Sequence, residues 1–262
     1  MINKPMIGVA AAVVVLAAGT WYYLHSRHAE APPVAAQPLP PAAPEEATVE
    51  HPVPAAQESA ASGPLPTLAD SDAPLSDALV RIAGASAVKD YLLPESIIRH
   101  LVVTIDNLPR QKVAVQKRPI GPVIGFFLAN GDELHATLDA QNYERYQPLV
   151  TAAGKVDMQQ LTAVYIRFYP LFQQAYQDLG YPNGYFNDRL VQVIDNLLAT
   201  PQPAGPIALV RPNVMYNFAD PALEARSAGQ KLLIRMGPEN AATIKAKLKE
   251  LRAAITTAPP KR

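Results

Sequence analysis

The chain has 262 residues, with 23 Lys and Arg against 23 Asp and Glu, five His and no Cys. The missing Cys removes thiolate nucleophiles, thiolate metal ligands and disulfides, while remaining compatible with an oxidising compartment. The balanced charge, with no clustered basic face, speaks against nucleic acid as a partner.

Residues 6–24 (MIGVAAAVVVLAAGTWYYL) are uncharged and apolar. A helix of that length crosses a hydrocarbon core of roughly 30 Å. A cleaved signal peptide would have a shorter core and a small-residue cleavage site beyond it. Here Ala10 and Ala12 lie inside the run, and it ends in Trp21, Tyr22 and Tyr23, which suit a membrane–water interface. The reading is an uncleaved transmembrane helix at 6–24 with the lipid bilayer as its partner, and residues 1–5 in the cytoplasm. Lys4 on one side and Arg27 on the other leave the positive-inside rule nearly silent. Residues 29–66 then carry no Lys or Arg, only Glu30, Glu45, Glu46, Glu50 and Glu58, which favours export. The expected location is a bacterial inner membrane, with the head in the periplasm.

Residues 25–66 read as a disordered Pro/Ala-rich linker. Ten Pro and eleven Ala fall within 29–66, too little apolar surface to offset ordering entropy. Pro fixes φ and favours extended polyproline II. A passive spacer is expected, with a motif for a Pro-binding domain as the alternative. His51, in this stretch, reads as solvated.

The head, 67–256, opens with a helical stripe of Leu75, Leu79 and Ile82 after Ser71-Asp72, stopped by Gly84. Pro94 is placed as the first residue of the next helix, whose stripe is Ile97, Ile98, Leu101, Val102, Ile105 and Leu108. Residues 111–125 are irregular. Asn130-Gly131 predicts a tight hairpin turn between 126–128 and 134–137. Asp139 is an expected N-cap for a short helix through Tyr143 and Tyr146 to Leu149.

The longest predicted helix starts at Asp157, with Gln160 completing a capping-box pattern. Leu161, Val164, Tyr165, Phe168, Phe172, Ala175, Tyr176 and Leu179 form its apolar stripe. Pro170 should kink it, Gly180 closes it, and 181–184 reads as a tight turn. A further helix carries Leu190, Val191, Ile194, Leu197 and Leu198 up to Pro201. Residues 207–210 and 214–216 form a second pair of candidate strands. Asp220-Pro221 starts a short helix, 230–236 is helical or extended, and Gly237-Pro238 opens the last helix. Residues 257–262 read as a frayed tail. The fold class is therefore α+β and mainly helical: a single globular head with one or two short β-hairpins, preceded by the transmembrane helix and linker.

Catalytic patterns are sparse. No G-x-S-x-G and no phosphate-cradling glycine loop is present. His100 and His135 have no second His at ligand spacing and read as structural or surface residues, so no metal or cofactor is expected. Of the carboxylate pairs, Asp70 and Asp72 sit at the linker junction, Asp132-Glu133 lies in a turn, and Asp188 and Asp195, seven apart, could share a helix face, as solvated residues also do. Aromatic and amide density between Asn142 and Phe186 is the stronger signal. Tyr165, Phe168, Phe172 and Tyr176 belong to the core stripe. Asn142, Arg145, Arg167, Tyr169 and Gln173 are the candidate binding residues, on a surface able to stack and hydrogen-bond a peptide or sugar.

Several stretches carry a resemblance: 65–72 (LPTLADSD), 106–109 (DNLP), Asn142-x-x-Arg145-Tyr146, 169–176 (YPLFQQAY), 180–186 (GYPNGYF), 198–201 (LATP) and 229–238 (GQKLLIRMGP). Over 65–255 the chain resembles the bacterial domain-of-unknown-function family numbered 3014, whose anchor-plus-linker layout is similar. The resemblance implies a domain boundary and brings no activity and no functional residues. The expected function is a binding or scaffolding head acting on an envelope protein, peptidoglycan or a glycan. The alternative is an envelope hydrolase using a carboxylate pair or a dispersed triad.

Overall fold

The computed structural model describes residues 49–54, 64–132 and 135–256, which belong to one compact unit. The apolar run at 6–24, most of the linker and the tail at 257–262 lie outside the described residues. Among the described residues, no helix is long and apolar enough to cross a membrane.

Helix α1 (Asp72–Ala83) follows the Leu75 stripe and stops at Gly84, whose φ of 87° suits a residue without Cβ. A helix the pattern did not indicate follows directly, α2 (Ala85–Tyr91). Helix α3 spans Ile97–Asn107, so Pro94 is not its first residue. Its start is fixed from a distance: the Asp72 carboxylate accepts the backbone N–H groups of Ser96 at 2.7 Å and Ile97 at 2.8 Å. These are unpaired donors that a local cap would otherwise satisfy.

The first hairpin forms with shifted strands. β1 (Ala129–Asn130) pairs antiparallel with β2 (Thr137–Leu138), Ala129 opposite Leu138. Gly131 takes a positive φ of 94°, yet the connection is longer than the predicted two-residue turn. Asp132 closes it by accepting the His135 N–H at 2.9 Å. The second hairpin is also displaced, with β3 (Leu209–Val210) against β4 (Asn217–Phe218). Thr137 bridges Ala208, and Leu138 N–H donates to Ile207 O at 2.8 Å, so the hairpins lie edge to edge.

Helix α4 (Gln141–Gly154) is longer than expected; Asp139 accepts the Gln141 N–H at 2.7 Å. Helix α5 (Met158–Asp178) is capped by Asp157, which accepts from Gln159 and Gln160, and it runs through Pro170. Helix α6 is Phe186–Leu198, α7 Pro221–Glu224, α8 Ala228–Arg235 and α9 Pro238–Thr256. The segment left open between helix and strand is thus α8.

The main core gathers Ile97, Ile98 and Val102 of α3, Phe168 and Phe172 of α5, Phe186, Val191 and Ile194 of α6, and Ile255 of α9. A smaller cluster of Ala136, Leu138, Leu209, Phe218 and Ile234 lies under the hairpins. A third, with Val150, Val193, Leu197, Leu233 and Met236, joins α4, α6 and α8. The architecture is a mainly helical α+β head with two short hairpins, as the sequence implied.

Candidate functional site

The aromatic-rich segment builds a cradle where α5 turns back into α6. Gly180, with φ 116°, ends the α5 region. The turn after it closes through Gly184 N–H to Tyr181 O at 2.9 Å. A Cβ at Gly184 would sit 2.7 Å from the Tyr176 ring, so only glycine lets this turn lie against α5. Gln173 then pins both sides of Tyr185. Its amide donates to Gly184 O at 2.7 Å, and its carbonyl accepts Phe186 N–H at 2.8 Å and the Tyr169 hydroxyl at 3.0 Å. The Tyr169 and Tyr185 rings meet at 5.6 Å.

The cradle is filled by residues 50–53 of the Pro/Ala-rich linker. The Asp188 carboxylate, in the first turn of α6, accepts Glu50 N–H at 3.1 Å and His51 N–H at 2.6 Å. A carboxylate there is also favoured by the helix dipole. Tyr185 hydroxyl accepts Val53 N–H at 3.0 Å, and the Asn187 amide donates to His51 O at 2.8 Å. His51 is therefore half-buried and docked, not a solvated residue. All four contacts go to main-chain groups, and Pro52 falls where no amide is needed. Asn187 is fully buried. It also donates to Ile255 O at 3.2 Å and accepts the Tyr165 hydroxyl at 2.9 Å. Burial pushes the Tyr165 and Tyr169 phenols far above the usual tyrosine range, so both remain hydrogen-bond donors at neutral pH.

The five candidate binding residues divide by their partners. Tyr169 and Gln173 shape the cradle. Arg167, on the same helix, rests 5.9 Å from the Phe168 ring and has no ion pair among the described residues. Asn142 and Arg145 hold the segment before β1. The fully buried Asn142 accepts Leu128 N–H at 3.0 Å and donates to Leu128 O at 2.6 Å. Arg145 donates to Ile124 O at 3.2 Å, Gly125 O at 2.8 Å and Asn142 Oδ1 at 3.0 Å. No hydrogen bond among the described residues links this pair to Tyr169 or Gln173. Arg145→Ala should cost about 1–2 kcal/mol, since two loop carbonyls lose a charged donor. Hydrogen exchange should show faster exchange at Leu128, whose acceptor Asn142 is also steadied by Arg145.

Asn187 was missed by sequence reasoning, and Asp188 was considered only as half of a carboxylate pair. Their signal was local: Asn and Asp in the first turn of a helix preceded by Tyr. The two carboxylates have different partners. Asp188 serves the linker, whereas Asp195 is bound by Arg252 at 2.6 and 2.9 Å, a hydrogen bond that holds its carboxyl below the usual range. Among the described residues no cluster of three His, Asp or Glu is placed to hold a metal. His135 is exposed beside Asp132, while His100 has a buried ring nitrogen without a partner. A cavity of about 300 Å³ lies between Tyr143, Thr200, Pro201, Gly237 and Lys245. Its one ammonium, Lys245, already donates to Thr200 O at 2.6 Å.

Fold and site together define the class: a mainly helical α+β domain with a peptide-filled cradle on one helix start. Residues 97–252 match the family model described as "Protein of unknown function (DUF3014)", and the chain belongs to that family. The match runs from the start of α3 into α9, and so takes in residues 185–188 but not the linker they hold. No curated protein and no solved structure matches the chain.

Proposed function

We propose that the protein is a single-pass inner-membrane protein, anchored through residues 6–24, whose periplasmic head is a binding or scaffolding module for a cell-envelope component. The observation that carries this reading is the cradle's grip on a Pro-containing segment through Tyr185, Asn187 and Asp188. Because it reads main-chain groups, a segment of another envelope protein that adopts the same backbone path satisfies the same donors and acceptors. A tyrosine that holds the Pro-Val-Pro segment fits the way aromatic surfaces take proline-rich peptides. The chain's own linker competes from an effective concentration in the mM range, so a partner engages once the linker is displaced.

The test uses the full chain with Glu50, His51 and Val53 replaced by Pro, which removes the three amides that the cradle accepts, and a synthetic peptide of residues 48–55. The replaced chain should bind the peptide, the unaltered chain about tenfold or more weakly, and the replaced chain carrying Asp188→Ala not at all. Failure of the replaced chain to bind would remove peptide recognition as the head's task. A C-terminal reporter active only outside the cytoplasm checks the compartment separately.

A further inference from the structure

The hairpin end of the head exposes apolar side chains on two neighbouring loops. Ile124 is 92 % exposed and Phe126 91 %; on the loop between β3 and β4, Val214 is 79 % exposed and Met215 74 %. The loops are joined. Phe127 and Tyr216, each next to one of these residues, bring their rings to 5.6 Å. Neither loop is loose backbone. Arg145 holds the carbonyls of Ile124 and Gly125, and Asn142 holds both main-chain groups of Leu128. Arg211 donates to Val214 O at 3.2 Å and stands over the Tyr216 ring at 5.5 Å. The scaffold therefore fixes four apolar side chains outward instead of tucking them in.

The two segments that carry these loops are basic, with the exposed Asp132 just beyond the first of them. Between 107 and 131 the chain carries Arg110, Lys112, Lys117 and Arg118 and no Asp or Glu; between 205 and 219 it carries Arg211 and no acid. Arg110 is taken by Asp106, but Lys112, Lys117, Arg118 and Arg211 enter no ion pair among the described residues. Ile124 and Phe126 are nine-tenths exposed and Val214 and Met215 about three-quarters, so none of the four sits in a groove and a protein partner would have to supply a separate pocket for each. A lipid interface accepts projecting apolar groups without pockets, and its anionic headgroups complement the basic residues.

We infer that these two loops are a membrane-docking surface: Ile124, Phe126, Val214 and Met215 enter the interfacial region of an anionic bilayer, while Lys117, Arg118 and Arg211 meet lipid phosphates. This extends the proposed function, because a head tethered to a bilayer would then lie on it in one orientation. The docked linker and the docked loops would together set where the cradle faces.

With no native Cys, Phe126→Cys and Met215→Cys give uniquely labelled full-length chains. Each is labelled with an environment-sensitive fluorophore and placed in nanodiscs of pure phosphatidylcholine or pure phosphatidylglycerol. Gln177→Cys, on α5, is the reference. The expected result is a blue-shifted emission, quenched by nitroxide-bearing lipid, at 126 and 215 in phosphatidylglycerol discs only. Adding K117Q and R118Q should lower the docked-to-undocked ratio about thirtyfold. Aqueous emission at both positions in anionic discs would overturn the inference. So would shielding that appears without lipid and grows with protein concentration, which would make a second copy the partner. Retention of the chain in discs through an alkaline wash reports the anchor on its own. If the anchor is not retained, the labelled chain is read against phosphatidylglycerol vesicles, where no response would equally overturn the docking surface.

Discussion

Asp106→Ala is expected to destabilise the head by about 3–5 kcal/mol, because it strands a partly buried cation. Only 4 % of the Asp106 side chain is exposed, and Arg189 retains 22 %. Arg189 reaches Asp106 twice, Nε to Oδ1 at 3.0 Å and Nη2 to the main-chain oxygen at 2.8 Å. Arg110 donates to Oδ2 at 2.6 Å and to the Tyr181 hydroxyl at 2.7 Å. Tyr181 completes the network by donating to Oδ2 at 3.3 Å. One carboxylate thus fastens the end of α3 to the turn before the cradle and to α6. Arg110 is half exposed and returns to water at little cost, so most of the loss comes from Arg189. For a domain of this size the melting temperature should fall on the order of 10 °C. Asp106→Asn keeps an acceptor for Arg189 and should lose less. A thermal melt of Asp106→Ala within a degree of the unaltered protein would mean that Arg189 finds water or another acceptor.

That network shows why the helices were more legible in the sequence than the site. The stripes of α1, α5 and α6 repeat every three or four residues, and the repeated burial of Leu75, Phe168, Phe172, Leu190 and Ile194 follows directly. Even Pro170 left α5 intact, since a proline removes one backbone bond while the packed aromatic stripe on either side keeps its face buried. Signals that depend on partners far away in sequence were not legible. The start of α3 is set by Asp72, and the hairpin ends are set by Asp132 and by the bridge between Thr137 and Ala208. Asn142 and Arg145 have the residue types of a binding surface, but the structure uses their polar groups on neighbouring backbone. Tyr169 and Gln173 have the same types and do reach the cradle, because α5 ends one turn later in a glycine-closed loop. Residue type alone could not separate the two pairs.

The linker is the clearest case. Its composition predicts a chain that cannot fold, and nothing within 49–54 buries enough apolar surface to order itself. Its order is supplied by the head: two amides to one carboxylate, one to a phenol, and one carbonyl to a buried amide. An isolated reading of the segment misses this because the acceptors lie more than 130 residues away.

Asn187→Ala and Asp188→Ala should therefore part company. Asn187 is fully buried and serves three elements: His51 of the linker, Ile255 near the end of α9 and Tyr165 of α5. Removing its amide leaves the Tyr165 hydroxyl and the Ile255 carbonyl buried without partners, at about 1–3 kcal/mol each. The expected loss is about 3 kcal/mol, together with fraying at the end of α9 and release of the linker. Asp188 touches only the linker, through two amides at the surface. Asp188→Ala should cost the fold no more than about 1 kcal/mol, yet remove the acceptor for both Glu50 and His51. Hydrogen exchange separates the outcomes. Both variants should lose protection at the amides of Glu50, His51 and Val53, but only Asn187→Ala should also expose the last turn of α9. If Asp188→Ala left those three amides protected, the carboxylate would not be what holds the linker. The cradle would then act through Tyr185 and Asn187 alone, and the replaced chain with Asp188→Ala would keep its affinity for the 48–55 peptide.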